Sequence, residues 1–211
     1  MWRMSGSRSC LFFLAFLASA CGSGTLGLKE LKGGAEIAVR RGSGWTTLSV
    51  KPPYIIGPRT NLRLEGGTFR GSIDNQSVRI AIDEEGAHGF GPFGPIAITI
   101  EDGVDALVAQ GQWSGSRVHL RITGESLRGT IPVWNANDVA STMWCQYVLD
   151  TVESDGAWSG TSICTGLPEV TRIEIPDQVQ SWFTRSELTV VLLALLSSPP
   201  TTGLERNYPA L

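Results

Sequence analysis

The chain has 211 residues, and its 17 Lys and Arg against 20 Asp and Glu give a formal net charge of −3. The sequence pI is about 5.4, and no basic stretch is interleaved with aromatic residues, which argues against a nucleic-acid partner. Glycine is abundant, at 25 residues. Since helix-favouring runs are also few, the composition favours an all-β protein with many tight turns.

Residues 1–20 have the organisation of a secretory signal peptide. Arg3 and Arg8 form a positive head, an apolar run covers 10–18, and the small residues Ala18, Ser19 and Ala20 follow it. These are the three parts by which signal peptides are recognised. A membrane-spanning helix needs about 20 apolar residues, roughly twice the length of this run. The pattern therefore predicts export and removal of 1–20.

The sequence before Cys21 resembles the lipobox of bacterial lipoproteins. It reads Leu17-Ala18-Ser19-Ala20-Cys21, with Ala18 at the place where this class usually has Leu. The resemblance implies that Cys21 is acylated and anchors the mature chain in a membrane, for which two or more acyl chains suffice. Residues 21–33 would then form the anchor and a flexible tether.

The residue after Cys21 bears on the location of the anchored protein. In the lipoprotein class, Asp at that place favours the inner membrane, but this chain has Gly22. The resemblance therefore implies the bacterial outer membrane, on the side facing the periplasm. Without lipidation the protein would instead be secreted.

An internal duplication indicates the architecture of residues 34–176. Residues 59–73 align without gaps on 117–131, with seven identities in fifteen positions. Each copy is typical of a hairpin, with an alternating strand, a turn containing Gly and a second strand. Alternation places Leu62 and Leu64 on one face and Arg63 on the other, and the second copy repeats this pattern.

Further alternating stretches before, between and after the two copies bring the total to about eight or more short strands. Such spacing predicts an antiparallel β-barrel or a β-sandwich. The strands of an outer-membrane barrel are about 10 residues long with a lipid-facing apolar band. The stretches seen here are shorter and interrupted by Gly, which argues against that class of barrel.

The segment 177–198 differs in kind, because it predicts a helix. Thr184 and Glu187 have the spacing of a capping box, and the residues from Leu188 to Leu196 are almost wholly apolar. A helix that is apolar all round is buried or touches lipid. We expect it to close one mouth of the barrel or to pack on one sheet, and we expect 199–211 to be a loosely ordered tail.

Four cysteines are present. Cys10 lies in the signal and Cys21 is the proposed anchor, which leaves Cys145 and Cys164. A pair in an exported chain predicts a disulfide, whereas two cysteines without a nearby His make a poor zinc site.

Two groups of residues are candidates for ligand binding. One is a set of tryptophans in the second half of the chain, which could form an aromatic cup inside a barrel. The other is the Gly/Pro/Phe stretch 86–95, interpreted as a loop that could form a ligand lip. The candidate residues are Trp113, Trp134, Trp144, Trp158, His88, Phe90 and Phe93.

The sequence contains no nucleophile elbow, zincin or phosphate-loop motif, so no catalytic residue, metal ligand or cofactor is assigned. The leading hypothesis is an envelope lipoprotein with a non-catalytic binding or structural role, whose partner is an apolar small molecule or an envelope protein. The alternative is a periplasmic hydrolase of envelope glycans or esters, in which His88 would work with Asp83 or Glu84.

Overall fold

The chain folds into a closed antiparallel β-barrel of fourteen strands that is followed by two helices. The structure is a computed structural model that describes residues 33–135, 138–152, 157–164 and 166–199. The predicted signal, most of the tether and the tail from 200 onward lie outside the described residues.

The strands are β1 (Ala35–Arg41), β2 (Gly44–Lys51), β3 (Tyr54–Gly57), β4 (Thr60–Glu65), β5 (Thr68–Ile73), β6 (Gln76–Ile82), β7 (Gly86–Gly91), β8 (Gly94–Asp102), β9 (Leu107–Trp113), β10 (Ser116–Ile122), β11 (Ser126–Asn135), β12 (Asp138–Thr151), β13 (Trp158–Ile163) and β14 (Pro168–Glu174). The helices are α1 (Asp177–Trp182) and α2 (Arg185–Ser197).

Each strand pairs with its neighbours in sequence, and β1 pairs with β14 to close the ring. The closing pair places Val39 opposite Ile173. The all-β prediction is confirmed, and of the two predicted architectures the barrel is the one observed. Closure removes both sheet edges, so no strand of the ring is left with an unpaired edge.

Apolar residues point into the barrel and polar residues point out of it. On β10, Val118 and Leu120 are buried while His119 between them is exposed. The same alternation holds on β2, where Leu48 and Val50 are buried. This period of two is the physical basis of the predicted strands, and it gives the barrel an apolar lumen.

The two copies of the duplication form the hairpins β4–β5 and β10–β11, as predicted. Both copies place an arginine directly opposite another: Arg63 faces Arg70, and Arg121 faces Arg128. Both also need glycine at a matching position. A Cβ added to Gly71 would lie 2.0 Å from the carbonyl oxygen of Asn61, and one added to Gly129 would lie 2.3 Å from that of His119.

Helix α2 lies inside the barrel, which is not where the sequence placed it. It was expected at a mouth or on one sheet, but Thr189 to Ser197 are all buried and polar contacts reach its end from β1, β9 and β12. A barrel of about eight strands is filled by its own side chains, whereas fourteen strands leave a lumen that needs a further element. The uniformly apolar surface of α2 suits that position.

The path of α2 through the lumen follows small side chains on the barrel wall. The helix lies closest to β7, β8, β9 and β11. The buried inward residues of β7 and β9 include Ala87 and Ala109. Because these residues carry little side chain, the helix can approach the wall closely there.

Both ends of α2 are satisfied by side chains. At the start, the predicted capping box is confirmed, with Thr184 accepting from the Glu187 amide and Glu187 accepting from the Thr184 amide at 2.8 Å. At the end, the buried Arg41 donates to the carbonyl oxygens of Leu196, at 3.3 Å, and Ser198. A cation at this position also complements the negative end of the helix dipole.

The hydroxyl group of Tyr147 and the indole group of Trp113 also form hydrogen bonds at the C-terminal end of α2. The Tyr147 hydroxyl donates to the Leu196 carbonyl at 3.2 Å, and Trp113 Nε1 donates to Ser197 Oγ at 2.9 Å. Burial raises the pKa of Tyr147, although the nearby Arg41 acts in the opposite direction.

Cys145 and Cys164 form a disulfide, as predicted, and it ties β12 to the residue that follows β13. The stretch 86–95 is not a loop, because its residues form β7, a two-residue turn and the start of β8. Within the described residues, no helix is both long enough and apolar enough to cross a membrane.

Candidate ligand-binding site

A cavity of about 340 Å³ opens at the end of the barrel where α2 begins. We call it the mouth cavity. Its wall combines the ends of several strands with the first two turns of α2. Its lining residues are Leu107, Ile122, Thr123, Gly124, Thr151, Trp158, Ile175, Gln180, Arg185, Leu188, Thr189 and Leu192.

The mouth cavity is apolar inside and has a few polar groups around it. Leu107, Ile122 and Leu192 come from three different elements and converge on the same space. Within the described part of the lining, Arg185 is the one ionisable residue, and it forms an ion pair with Asp102. Gln180 donates from its side-chain amide to the Ile175 carbonyl at 3.2 Å. Apolar walls with a small number of placed polar groups are typical of small-molecule sites.

The described part of the lining supplies binding chemistry. Among the described residues, the lining offers an apolar surface and the Arg185 guanidinium, which is paired with Asp102.

The tryptophans predicted to form a cup do not lie together. Trp158 lines the mouth cavity. Trp113 is buried at the opposite end of the barrel, where β9 and α2 both end. Trp134 is also at that end, with its ring 5.4 Å from that of Phe93. Trp144 is 44 % exposed. The four residues thus occupy three separate surroundings, and one of them lines the cavity.

His88 and Phe90 point outward from β7. His88 Nε2 lies 3.3 Å from Asp83 Oδ2, and both side chains are about half exposed. Asp83 also accepts hydrogen bonds from the Glu85 and Gly86 amides, at 2.9 and 3.2 Å, so it is held as the residue that organises the β6–β7 turn. Phe90 is 68 % exposed. The pair proposed for a hydrolase therefore lies on the convex outer wall.

A second pair of charged residues lies at the far end of the barrel. Arg59 forms an ion pair with Asp74, whose side chain is almost fully buried in the β5–β6 turn. Burial raises the pKa of Asp74, and the Arg59 charge opposes that effect. The adjacent cavity measures only about 10 Å³, the space of about one water molecule.

Most residues of the mouth cavity carry no individual sequence signal. Leu107, Ile122 and Ile175 are ordinary apolar residues of a period-two pattern, and Leu188 and Leu192 are two positions in an apolar run. What makes them a site is that α2 begins beside these strand ends. That juxtaposition follows from helix insertion, which the sequence pattern did not predict.

The described part of the chain contains no group of three or more His, Cys, Asp or Glu residues that could hold a metal ion.

Comparison with known proteins does not assign the chain to a family. The sequence matches no protein-family model, and searches of curated proteins and solved structures give no significant match.

Proposed function

We propose that the protein is a bacterial envelope lipoprotein, anchored through Cys21, whose barrel binds an apolar ligand in the mouth cavity. The observation that carries the proposal is the cavity itself. Its volume of about 340 Å³ lies at the lower end of the range for small-molecule sites. Its apolar lining suits a single acyl chain or a molecule of similar size, and Arg185 at the cavity suits a carboxylate or phosphate headgroup.

The lipoprotein part of the proposal rests on the residues around Cys21 and on export. A disulfide in the folded domain supports an oxidising compartment. In this proposal the anchor holds the barrel at the periplasmic face of the outer membrane, where apolar lipid-derived molecules are available to the cavity.

Ligand binding can be measured with cis-parinaric acid, a fluorescent fatty acid that accepts energy from tryptophan. We expect saturable binding and quenching of tryptophan emission, because Trp158 lines the cavity. Leu188→Trp should fill part of the cavity and weaken binding about tenfold, the effect expected when an apolar contact of about 1.4 kcal/mol is lost.

Leu167→Trp is the matched control, since it adds the same side chain at a position that is 74 % exposed. Equal affinity in the two variants would contradict binding in the mouth cavity. Circular dichroism on both proteins establishes that they are folded.

Anchoring is tested separately by Cys21→Ser. We expect the variant to move from the membrane fraction to the soluble fraction after a high-salt wash, and the mass of acyl groups to disappear from the mature chain. A variant that stays in washed membranes would contradict the anchor without bearing on the cavity.

A further inference from the structure

Three arginines form a row across the outer wall of the barrel. Arg63 on β4 lies directly opposite Arg70 on β5, which in turn lies directly opposite Arg79 on β6. Since neighbouring strands are about 4.8 Å apart, the arginine row extends over about 10 Å. Its members come from separate strands, which is why no basic stretch marks them in the sequence.

The arginine row is costly for the isolated protein. Like charges directly opposite one another destabilise a sheet. Arg63 is partly compensated by Glu65, at 2.7 Å, but within the described residues neither Arg70 nor Arg79 has an ion pair. Glu65 is the one carboxylate on the outward positions of these three fully described strands. The row is thus a concentrated positive surface on a chain of net charge −3.

The second copy of the duplication shows how such a pair is neutralised. There Arg121 faces Arg128, just as Arg63 faces Arg70. However, Arg128 forms an ion pair with Asp150 on the next strand. In the first copy the position that matches Asp150 is Ala81, and Arg79 lies opposite Arg70 where the second copy has Val148 opposite Arg128. The next strand therefore adds a positive charge beside Arg70 and no acid to compensate it.

The flanks of the arginine row suit a membrane interface. Tyr54 lies beside Arg63 at one side, with the guanidinium 5.6 Å from its ring, and the exposed Phe90 lies opposite Arg79 at the other. A parallel row of Asn61, Ser72 and Ser77 adds neutral hydrogen-bonding groups. Guanidinium groups bind phosphate oxygens through paired donors, and aromatic residues are enriched where a protein meets lipid headgroups.

We propose that the arginine row docks the outer wall of the barrel on an anionic phospholipid surface. The guanidinium groups of Arg70 and Arg79 bind lipid phosphates, and Phe90 enters the interfacial layer beside them. This docking depends neither on the mouth cavity nor on acylation of Cys21, so either can fail without affecting it.

The test uses the full chain carrying Cys21→Ser, sedimented with vesicles of phosphatidylcholine alone or with roughly 30 % phosphatidylglycerol. We expect preferential binding to the anionic vesicles, which falls when salt is raised from about 0.05 to about 0.5 M because salt screens surface charges. Arg70→Gln with Arg79→Gln should weaken that binding about 25-fold, since each arginine near an anionic surface contributes about fivefold.

Arg117→Gln with Arg121→Gln is the matched control, because it removes the same charge from exposed positions of β10 outside the row. This control should bind within about twofold of the parent, since surface changes away from a contact have small effects. Equal weakening in both double variants, or equal binding to neutral and anionic vesicles, would overturn the proposal. Melting curves for all variants show that the barrel is intact.

A third variant distinguishes docking on a membrane from binding of a soluble anion. Phe90→Ser should weaken anionic-vesicle binding several-fold and should do so at both salt concentrations, because apolar insertion is insensitive to screening. An unchanged affinity in this variant would overturn the assignment of the surface to a membrane and favour a soluble anion.

Discussion

At the scale of single residues, the contact between Arg41 and the end of α2 joins the helix to the barrel wall. Arg41 is 3 % exposed and, within the described chain, has no carboxylate partner. Its charge is instead satisfied by carbonyl oxygens at the end of α2 and by the Tyr147 hydroxyl, at 3.3 Å. These acceptors offset part of the cost of burying the charge, while Arg41 Nε is buried without a hydrogen-bond partner among the described residues.

We expect Arg41→Met to lower the free energy of unfolding by about 3 kcal/mol, because it removes the donor to the buried Ser198 carbonyl oxygen and one of the two donors to that of Leu196. Urea unfolding followed by tryptophan fluorescence measures the change. Arg117→Met, on the exposed face of β10, is the control and should change stability by less than about 0.5 kcal/mol. Similar effects in the two variants would show that Arg41 has no special role.

The buried Tyr147 hydroxyl predicts a loss of stability in alkali. Burial raises the pKa of Tyr147 above its ordinary value of 10.0, so the folded protein holds this proton more tightly than the unfolded chain does. The resulting stabilisation is fully present below the unfolded-state pKa and is lost as pH rises through the folded-state value.

Between about pH 8 and pH 11, the free energy of unfolding should therefore fall more steeply in the parent than in Tyr147→Phe. Urea unfolding at the two pH values measures both slopes. Tyr54→Phe, on the outer wall, serves as a comparison. Parallel slopes in the parent and in Tyr147→Phe would contradict the prediction.

At the scale of elements, the duplicated hairpin shows what the strand pattern requires beyond alternation. Gly71 has a φ of 143°, a conformation that side-chain-bearing residues rarely adopt. We expect Gly71→Ala to cost about 3 kcal/mol, because the strained backbone and the contact with the Asn61 carbonyl both oppose a methyl group.

Gly124→Ala is the matched control for Gly71→Ala, since no atom lies within 4 Å of the added Cβ. Its expected effect is below about 0.5 kcal/mol. Thermal melting of both variants gives the comparison. If the Gly71→Ala protein were as stable as the control, the backbone of β4 and β5 would be able to shift to accommodate the added methyl group, which would contradict the prediction.

Elements with strong alternation could be predicted from the sequence, and elements made of small residues could not. The strands β6, β8 and β10 carry apolar residues at alternate positions, which is the signal of a half-buried strand. In β7 the inward residues are Ala87, Gly89 and Gly91. They are small where α2 packs closely, so the pattern there is indistinguishable from that of a glycine-rich loop.

The candidate site was less predictable than the fold for a related reason. Of the residues proposed for ligand binding, Trp158 lines the mouth cavity. The apolar part of the lining otherwise consists of leucines and isoleucines that have no distinctive sequence pattern. Their proximity depends on strand order, barrel closure and the position of α2 together. The pattern of apolar residues along the sequence indicates the order of the strands, but it does not indicate the size of the lumen that they enclose.

At the scale of the whole molecule, α2 is the centre of the apolar interior, so the barrel should depend on it. We expect a chain that ends at Phe183 to lose its cooperative unfolding transition and to bind a hydrophobic dye such as anilinonaphthalene sulfonate. The reason is that the inward residues of the strands would face an empty lumen, and voids of that size are not tolerated.

Leu193→Ala provides a milder measurement of the same dependence. Leu193 is fully buried, so its truncation should cost about 2–5 kcal/mol while the fold is kept. Leu167→Ala, at an exposed position, is the control. A chain ending at Phe183 that melts at the parent temperature would show that the barrel is self-supporting.

The position of α2 also sets an order of events during synthesis. Every strand pairs with a strand next to it in the chain, and β1–β14 is the pair that joins distant segments. The segment that fills the lumen emerges after all fourteen strands. A partly emerged chain thus consists of paired hairpins around an unfilled apolar face. The ring can therefore complete its core only after α2 has emerged behind β14, which makes synthesis of α2 a condition of folding.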